Sequence, residues 1–518
     1  MFKLSHGRKL TQGAFLLLFL FLLFQTESKG GDELGYPVRL FLDSDPFIFI
    51  SALISARGWE WTFLKGFLPA LPVIAITLLM GRVFCGWACP LGTVNDLAGI
   101  GAKTKRAAVP KSLRKLKYLL LIFLLTLSLA SVQLAGVFDP LSFLIRSLSL
   151  WLLPGIDNGT RALFNALSDS GSASESGLAE TVFAFLKAHV LSFHPPSFGQ
   201  GLLFGSLFLI VIGLNRVEKR FWCRYLCPLG ALLGVFSVLS PLRKTAGEDC
   251  SSCGGCVRFC RAGASGGRHE TWFGTECVRC MECRDNCPKK TVRFGFKAGW
   301  LPSYSSLPSG PDLGRRHIAA SFLAALAGAP LIRLARPSRS EAAAVIRPPG
   351  SGDENRFLSR CIRCGECMKV CITNGLQPML LEGGLEGIWT PKLVPRLGFC
   401  EYGCNLCGQV CPTYAIPRLE AGVKKRTRIG CAEIDQGRCL PYAESIPCIV
   451  CEEVCPTPRK SIRLDAVRVR DRLGRDTAIK RPRIDPERCI GCGACEKHCP
   501  VEGAAAITVK PLTVRRKA

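Results

Sequence analysis

The hydrophobic residues are concentrated in the first half of the chain, where long apolar stretches alternate with short polar segments. Stretches of about twenty apolar residues are long enough for a helix to cross a bilayer. The pattern predicts an α-helical membrane domain of about four to five spans, followed by a more polar second half. The predicted spans are 12–25, 63–81, 117–137 and 200–216, and the stretches 140–154 and 229–241 are predicted to be half-buried or interfacial helices.

Basic residues flank these stretches unevenly and so predict their orientation. The chain has 67 Lys and Arg against 40 Asp and Glu, a formal net charge of +27. Because cytoplasmic loops carry an excess of Lys and Arg, we place the N-terminus, 103–117 and 216–224 in the cytoplasm, and 27–45 and 155–180 outside. The Lys and Arg residues of these loops explain the positive net charge better than nucleic-acid binding does. The stretch 12–25 has no convincing cleavage site, which favours a first membrane anchor over a signal peptide.

The apolar half contains an internal repeat. One half begins at Asp45-Pro46-Phe47 and continues to FCGWACPLG at 84–92, and the other begins at Asp139-Pro140-Leu141 and ends at WCRYLCPLG, 222–230. Both Cys-x₃-Cys-Pro-Leu-Gly elements follow a span that ends on the predicted cytoplasmic face. Two repeats of the same orientation predict a pseudo-two-fold axis along the membrane normal.

Twenty-nine cysteines identify the chemistry, because most of them have the spacing of iron–sulfur ligands. Four sets follow C-x₂-C-x₂-C-x₃-C, as in bacterial ferredoxins, and two sets are looser. Zinc sites usually use two separated C-x₂-C pairs, and disulfide frameworks have scattered cysteines, so both fit less well. The strict sets are Cys250, Cys253, Cys256, Cys260; Cys277, Cys280, Cys283, Cys287; Cys361, Cys364, Cys367, Cys371; and Cys489, Cys492, Cys495, Cys499, and the looser sets are Cys400, Cys404, Cys407, Cys411 and Cys439, Cys448, Cys451, Cys455.

The six sets predict about six [4Fe–4S] clusters. In two-cluster ferredoxins the fourth cysteine of each set ligates the neighbouring cluster. We therefore expect Cys287 to complete the first set and Cys260 to complete the second. For the four C-terminal sets, exchange between adjacent sets and nested exchange both remain open. Cys431 competes with Cys439 for a place in the looser set, and Cys439 is preferred because it lies nearer in sequence.

Four of the remaining cysteines form the two Cys-x₃-Cys pairs, Cys85 with Cys89 and Cys223 with Cys227. In a helix, thiols four residues apart lie on one face. If the repeats are symmetric, all four thiols converge, either on an extra metal centre or as a dithiol relay. The alternative is that these cysteines only precede the prolines that begin the next helices.

Asp45 and Asp139 each precede a proline at the start of a predicted helix. The simplest interpretation is N-capping, with proline at the first helical position. The alternative is that a carboxylate near the membrane accepts protons when a quinol is oxidised.

The sequence has no haem, flavin or nicotinamide signature: there is no C-x-x-C-H motif, no Gly-rich dinucleotide loop, and the six histidines are scattered.

Composition divides the chain into four predicted parts: a membrane domain at 1–245, a two-cluster ferredoxin domain at 246–296, a linker at 297–350 and a four-cluster ferredoxin domain at 351–518. The linker contains Arg315-Arg316 before sixteen mildly apolar residues. These residues suggest a twin-arginine signal or an ordinary span, and either would place 351–518 outside. A short soluble helix, with all clusters in the cytoplasm, is the alternative, since sixteen residues is short for a span.

The duplicated FCGWACPLG and WCRYLCPLG elements followed by two cluster motifs resemble the NapH-type membrane polyferredoxins and their relatives NosR and CcoG. The region 351–518, with the twin arginines before it, is similar to NapG-type four-cluster ferredoxins. Two features depart from the pattern: Arg261 and Ile372 stand where proline often follows the fourth cysteine, and NosR's flavin-bearing domain has no counterpart.

The resemblance implies an inner-membrane quinol dehydrogenase or electron-transfer subunit that takes electrons from the quinone pool to an extracytoplasmic redox partner. It implies the 24 cysteines above as cluster ligands and the two Cys-x₃-Cys-Pro pairs as the family's membrane motif. A different class is a maturation factor of the CcoG type, in which Cys85, Cys89, Cys223 and Cys227 reduce a metal. A third is reverse flow, from a cytoplasmic donor to the quinone pool.

Replacing Cys280 by Ser tests whether the cluster domains are independent modules. We expect loss of one N-terminal cluster, about one sixth of the iron, with the four C-terminal clusters intact. Iron per protein and the EPR spectrum of the reduced protein measure this. A loss of iron much larger than one cluster would contradict independence.

Overall fold

A computed structural model describes most of the chain, and its residues gather into two compact units. The first unit comprises Met1–Phe24, Pro37–Ser147 and Leu202–Leu331, and the second comprises Gln25–Tyr36, Leu148–Gly201 and Ile332–Ala518. Part of the basic segment 103–117, about half of the predicted linker and His194 lie outside the described residues. Those described are 4–28, 31, 33–57, 61–100, 111–169, 177–189, 191–192, 195–247, 249–265, 272–296, 313–334, 345–470 and 476–512.

Helices make up nearly all of the apolar half, as the sequence predicts. The helix Leu4–Gln25 contains the predicted span 12–25, whereas 63–81 is divided into Trp61–Gly66 and Ala70–Met80. Proline at position 69 lies in the break. The helices and short 3₁₀ turns of this part are Leu4–Gln25, Leu40–Asp43, Pro46–Ala56, Trp61–Gly66, Ala70–Met80, Val83–Trp87, Pro90–Ala98, Lys111–Lys115, Leu116–Leu129, Ala135–Phe138, Pro140–Ser147, Gly201–Gly213, Leu214–Arg216, Phe221–Tyr225, Pro228–Phe236 and Ser237–Leu239.

Two described helices, Leu4–Gln25 and Arg315–Leu334, are long and apolar enough to cross a membrane. Four further apolar helices are shorter: Pro46–Ala56, Ala70–Met80, Gly201–Arg216 and Pro228–Leu239. The weakly apolar stretch after Arg315-Arg316 thus lies in a helix of 20 residues, longer than its sequence suggested.

Four two-stranded antiparallel sheets lie beside the cysteine sets within the described residues. In the first unit, Leu242–Ala246 pairs with Val292–Phe296, so that one sheet brackets both cysteine sets of the two-cluster domain. In the second unit the pairs are Leu376–Pro378 with Pro391–Leu393, Gly430–Ile434 with Ile507–Pro511, and Ile462–Arg470 with Asp476–Ile484. The fold combines α-helices with small ferredoxin-type domains, as the sequence predicts.

Further helices complete both units, and those that carry the third cysteine of a set are single turns. The further helices are Gly255–Arg258, Gly274–Glu276 (3₁₀) and Glu282–Asp285 in the first unit, and Leu148–Leu152 (π), Leu153–Asp169, Gly177–His189, Glu354–Arg360, Glu366–Lys369, Gly384–Gly387, Leu406–Gln409, Ala421–Arg426, Leu440–Ala443, Val450–Glu453 and Ala494–Lys497 in the second.

A buried ion-pair network fastens the two-cluster domain to the helices of the first unit. Glu276, next to the cluster loop, binds the Lys117 ammonium and accepts a hydrogen bond from the Tyr118 hydroxyl at 2.8 Å. Arg82 lies 3.5 Å from the same carboxylate and donates to the Thr275 carbonyl at 3.0 Å. Burial alone would raise the pKa of Glu276, but Lys117 and Arg82 hold it below its usual value.

Replacing Glu276 by Gln should destabilise the first unit strongly. Removing one partner of a buried ion pair typically costs about 3–5 kcal/mol, because it leaves an uncompensated buried charge. We expect a lower apparent melting temperature in detergent and a lower yield of cluster-loaded protein.

The matched control is Glu382→Gln, since Glu382 forms an ion pair with Lys392 at the surface. Such pairs contribute about 0–1 kcal/mol, so its melting temperature should stay near that of the wild type. Equal, small effects of the two substitutions would contradict the structural role of Glu276.

Candidate redox centres and their connection

In the first unit, the cysteines of the two-cluster domain line two cavities of about 340–400 Å³. The first three cysteines of one set meet the fourth cysteine of the other set. One cavity is lined by Cys250, Cys253, Cys256 and Cys287 together with Cys283, and the other by Cys260, Cys277, Cys280 and Cys283. This is the exchange expected from the spacing.

The second unit repeats this arrangement twice, with exchange between adjacent sets. Three cavities of about 350–440 Å³ have four cysteines each, and in a fourth group Cys455 lies in electrostatic contact with Cys492 and Cys495. Cys439 lines one of these cavities, whereas the competing Cys431 lies in the strand Gly430–Ile434. The groups are Cys361, Cys364, Cys367 and Cys411; Cys371, Cys400, Cys404 and Cys407; Cys439, Cys448, Cys451 and Cys499; and Cys455, Cys489, Cys492 and Cys495.

Left-handed backbone around the second cysteine shapes each strict cysteine loop. The residue before it and the residue after it both have positive φ, for example Ser252 and Gly254 around Cys253. The same offsets recur as Arg279 and Met281, Arg363 and Gly365, and Gly491 and Gly493. This conformation costs a non-glycine residue about 1–2 kcal/mol. Its recurrence in all four strict sets indicates that each loop is shaped to surround the same kind of bound group. Ligation by cysteine thiolates only is typical of a [4Fe–4S] cluster.

Hydroxyl groups contact several of the cysteine sulfurs in the second unit. The threonine two residues after the fourth cysteine recurs as Thr373, Thr413 and Thr457, at 3.7, 3.9 and 3.3 Å from its sulfur. Backbone N–H groups also donate to the sulfurs of Cys411 and Cys489, both at 3.4 Å. Hydrogen bonds to cluster sulfurs are one of the factors that set the reduction potential.

The four leftover thiols of the Cys-x₃-Cys pairs converge in the first unit. Cys89 interacts electrostatically with Cys85 and Cys223, and Cys227 interacts with the other three. Cys85, Cys89 and Cys227 are buried. Burial, with the neighbouring thiols, raises the pKa of Cys89 and Cys227, which keeps these thiols protonated at neutral pH.

The four thiols lie beside one of the cluster loops. The Trp87 indole N–H donates to the Arg279 carbonyl at 2.9 Å, between Cys277 and Cys280. Gly86 approaches so closely that an added Cβ would lie 2.1 Å from the Val278 carbonyl oxygen. No larger residue fits at this position. The loop between Cys85 and Cys89 is therefore packed directly on the loop that carries Cys277 and Cys280.

Two arginines hold the Cys-x₃-Cys loops together. Arg220 donates to the carbonyls of Cys85 at 3.0 Å and Gly92 at 3.3 Å, and binds Asp96 at 2.7 Å. Arg82 lies against Gly230, where an added Cβ would be 2.7 Å from its Nη2 atom. Each arginine thus reaches the Cys-Pro-Leu-Gly segment of the other element. Burial alone would raise the pKa of Asp96, but Arg220 holds it well below its usual range.

Sequence reasoning missed Arg82 and Arg220, although a signal was present. Each stands three residues before the first cysteine of its pair, at matching positions of the two elements.

Comparison with known proteins places the cysteine elements in an established class. A family described as a 4Fe–4S binding domain matches residues 63–107 and 198–245, one match for each Cys-x₃-Cys element. A second 4Fe–4S binding domain family matches 482–503, around the last cysteine set. The protein is thus an iron–sulfur electron-transport protein that binds [4Fe–4S] clusters.

Curated relatives place the chain within this class. It is 28% identical over 306 residues to the putative electron transport protein YccM of Escherichia coli, covering 51% of this chain and 74% of YccM. It is 27% identical over 279 residues to the ferredoxin-type protein NapH of Haemophilus influenzae (51% and 80%), and 32% identical over 138 residues to the ferredoxin-type protein NapG of E. coli (26% and 59%). No solved structure matches. The resemblance to NapH/NosR-type polyferredoxins with a NapG-like ferredoxin region is confirmed.

Replacing Thr457 by Val should lower the reduction potential of one C-terminal cluster. The substitution keeps the shape of the side chain and removes the hydroxyl that contacts the Cys455 sulfur. It also removes the bonds of this hydroxyl to the Ser461 hydroxyl and N–H at 3.0 Å, so Ser461→Ala is titrated beside it. A lost hydrogen bond of about 1 kcal/mol corresponds to a shift of about 40 mV for a one-electron couple. An EPR-monitored redox titration measures the shift. Thr427→Val, which removes a hydroxyl bonded only to the Val423 carbonyl, is the control, and equal titrations of both variants would contradict the assignment.

Proposed function

We propose that the protein is a membrane-anchored electron carrier that takes electrons from quinol and relays them through [4Fe–4S] clusters to a redox partner. The observation that carries this proposal is the packing of the loop with Cys277 and Cys280 on the loop between Cys85 and Cys89. The helices that begin after Cys89 and Cys227 belong to the apolar part of the chain. A redox centre therefore adjoins the helices that would meet a quinol.

The polarity of the first unit supports membrane anchoring. Large apolar side chains are exposed on the long helices, such as Leu17 at 69%, Leu202 at 84% and Leu323 at 62%. Polar groups such as Ser51 and Asp139 are instead completely buried. A soluble protein seldom exposes continuous apolar surface of this kind, whereas a bilayer would cover it.

The composition of the second unit supports an extracytoplasmic four-cluster domain. This unit includes 25–36 and 148–201, much of which the charge pattern places outside. The Lys369 ammonium donates to the Thr26 carbonyl at 3.1 Å, and the Gln377 amide donates to the Ser197 carbonyl at 3.0 Å. Contacts between the cluster domain and these segments are expected if all of them lie on one side of the membrane.

We propose the six cysteine groups as the cluster ligands and suggest an order for the four in the second unit. Clusters that exchange ligands are neighbours, which makes two pairs. The pairs meet where the Cys400 N–H donates to the Cys492 carbonyl at 2.8 Å. The group containing Cys400 and the group containing Cys492 are then the central ones. The groups with Cys361 and Cys439 form the two ends of a linear relay. When bound, the clusters accept and pass on single electrons.

A maturation or metal-reducing role is the second candidate, favoured by the convergence of the four thiols. In that case the clusters would supply electrons to Cys85, Cys89, Cys223 and Cys227. Reverse flow, from a cytoplasmic donor to the quinone pool, would use the same contacts. The direction depends on the cluster potentials.

Addition of a quinol to the anaerobically purified protein in detergent tests the proposal. We expect a short-chain quinol analogue to bleach the visible absorption of the clusters and to generate the EPR signals of reduced [4Fe–4S] centres, with dithionite as the reference for full reduction. Reduction by dithionite alone would contradict quinol oxidation and favour reverse flow or the metal-reducing role.

The Cys85→Ser/Cys223→Ser double variant separates the two candidates. If the thiols only support the loops, quinol should still reduce the clusters, and the reduction of an added Cu²⁺ or Fe³⁺ salt should be unchanged. Loss of metal reduction with quinol-to-cluster transfer intact would assign the thiols to the metal-reducing role. The control is Cys431→Ser, which lies outside the proposed ligand groups. Because the Cys431 thiol is hydrogen-bonded to Cys489, the iron content of this variant is measured first.

A further inference from the structure

Two aspartates that begin helices in the first unit meet in its interior. Asp45 accepts hydrogen bonds from the Phe47 and Ile48 N–H groups at 2.8 and 3.1 Å, and Asp139 accepts one from the Ser142 N–H at 2.7 Å. Both residues therefore cap helices, which agrees with the simplest interpretation of their sequence. Their side chains are completely buried. The two carboxyl groups also lie within hydrogen-bonding contact of each other, which capping does not require.

Each carboxyl group retains one oxygen without a donor. Asp45 Oδ2 and Asp139 Oδ1 receive no N–H or O–H from the described residues. Two buried carboxylates in contact cannot both be ionised, because their repulsion adds to the cost of burial. One shared proton removes the repulsion and supplies the missing hydrogen bond. The pair then carries one proton and one negative charge, as two carboxyl groups sharing a site do in aspartic proteases.

The charged groups on the surrounding helices have other partners. Arg39 forms an ion pair with Asp43 at 3.2 Å, and Arg146 donates to the carbonyls of Gly136 and Val137 at 3.4 and 3.3 Å. On the other packed helices, Asp96 is held by arginines, and Lys117 binds Glu276. The remaining negative charge of the pair is stabilised mainly by the backbone N–H groups at the two helix N-termini.

The helices capped by the two aspartates pack on the helices that begin at the thiol loops. Pro46–Ala56, capped by Asp45, contacts Pro228–Phe236, which follows Cys227. Pro140–Ser147, which follows Asp139, contacts Pro90–Ala98, which follows Cys89. The carboxyl pair is therefore connected through two helix contacts to the place where we expect electrons to enter.

We propose that Asp45 and Asp139 form a proton-sharing carboxyl pair that accepts protons from the quinol during its oxidation. The quinol step rests on the proposed function, whereas proton sharing does not. In each half of the reaction a quinol O–H bond breaks and one electron leaves towards the iron–sulfur centres. Because the pair is completely buried, the proton reaches it by relay rather than by direct contact with quinol, and forms an O–H bond on the free carboxylate oxygen. The pair releases this proton before the second half. One quinol thus gives one quinone, two protons and two electrons.

Asparagine substitutions test the pair without removing the caps. Asn accepts the same backbone hydrogen bonds, because Asn and Asp are about equally good N-caps. The variants are Asp45→Asn, Asp139→Asn and the double variant, in the full-length protein under anaerobic conditions. The matched control is Asp43→Asn, a nearby buried carboxylate that is paired with Arg39.

The infrared spectrum tests proton sharing directly. The wild type should show the carbonyl stretch of a buried protonated carboxylic acid, which shifts in D₂O. Burial also raises the pKa of Asp43 and of Glu366 to about 7, so these groups add components of their own to the band. Either single substitution should remove or shift a component that Asp43→Asn leaves in place. A wild-type spectrum without such a component, or one whose component survives in the double variant, would overturn the pair. This measurement needs no quinol, so it decides the matter even if the proposed function fails.

The rate of cluster reduction by a quinol analogue tests the role of the pair. Since a positioned general base contributes about 10²–10⁴-fold, we expect each single substitution to slow reduction by about tenfold or more. Reduction by dithionite should be unchanged, and Asp43→Asn should behave as the wild type. Wild-type rates in both single variants and the double variant would overturn the role as proton acceptor. If quinol fails to reduce even the wild-type clusters, then the proposed function fails and the proton-accepting role fails with it.

Discussion

The buried charges around the Cys-x₃-Cys loops are the constraint on which the rest of the first unit depends. Glu276, which precedes the cluster loop, is held by Lys117 and Arg82, and Asp96, which follows Cys89, is held by Arg220 and Arg8. Buried charges are tolerated only when they are paired and hydrogen-bonded. These pairs therefore hold the loop that carries Cys277 and Cys280 against the two Cys-x₃-Cys loops. Since electron transfer requires neighbouring centres to stay close, the ion pairs have a functional consequence as well as a structural one.

The same unit combines an apolar exterior with a polar interior. Leucines cover the outer faces of the long helices, whereas Asp45, Asp139 and the arginines lie inside. This distribution is expected if lipid covers the exterior. It also places the carboxyl groups and the redox-active thiols within one set of packed helices. The second unit is organised differently. Its short helices and two-stranded sheets mainly support cysteine loops, and cysteines of adjacent sets line the same cavities.

Much of this could be predicted from the sequence, because cluster ligation depends on local spacing. The C-x₂-C-x₂-C-x₃-C sets identified the kind of cofactor, and the Asp-Pro steps predicted two helix N-termini that the structure contains. Long-range contacts were not predictable in the same way. Nothing local indicates that Glu276 meets Lys117, that Asp45 meets Asp139, or that the exchange in the second unit joins adjacent rather than nested sets, as Cys411 with Cys361 shows. The prediction of one continuous span over 63–81 missed the interruption near Pro69, because apolar residues continue through it. Pro69 itself was a signal for the break.

Direct packing of the segment between Cys85 and Cys89 on the loop that carries Cys277 and Cys280 is the central claim. An EPR-monitored redox titration of the Cys223→Ser variant tests it most directly, with dithionite as reductant so that the result does not depend on the natural donor. The claim predicts an altered spectrum or midpoint potential for one N-terminal cluster, because Cys223 and Cys280 both interact with Arg220, and unchanged C-terminal clusters. Titrations of all six clusters that are identical to the wild type would contradict it.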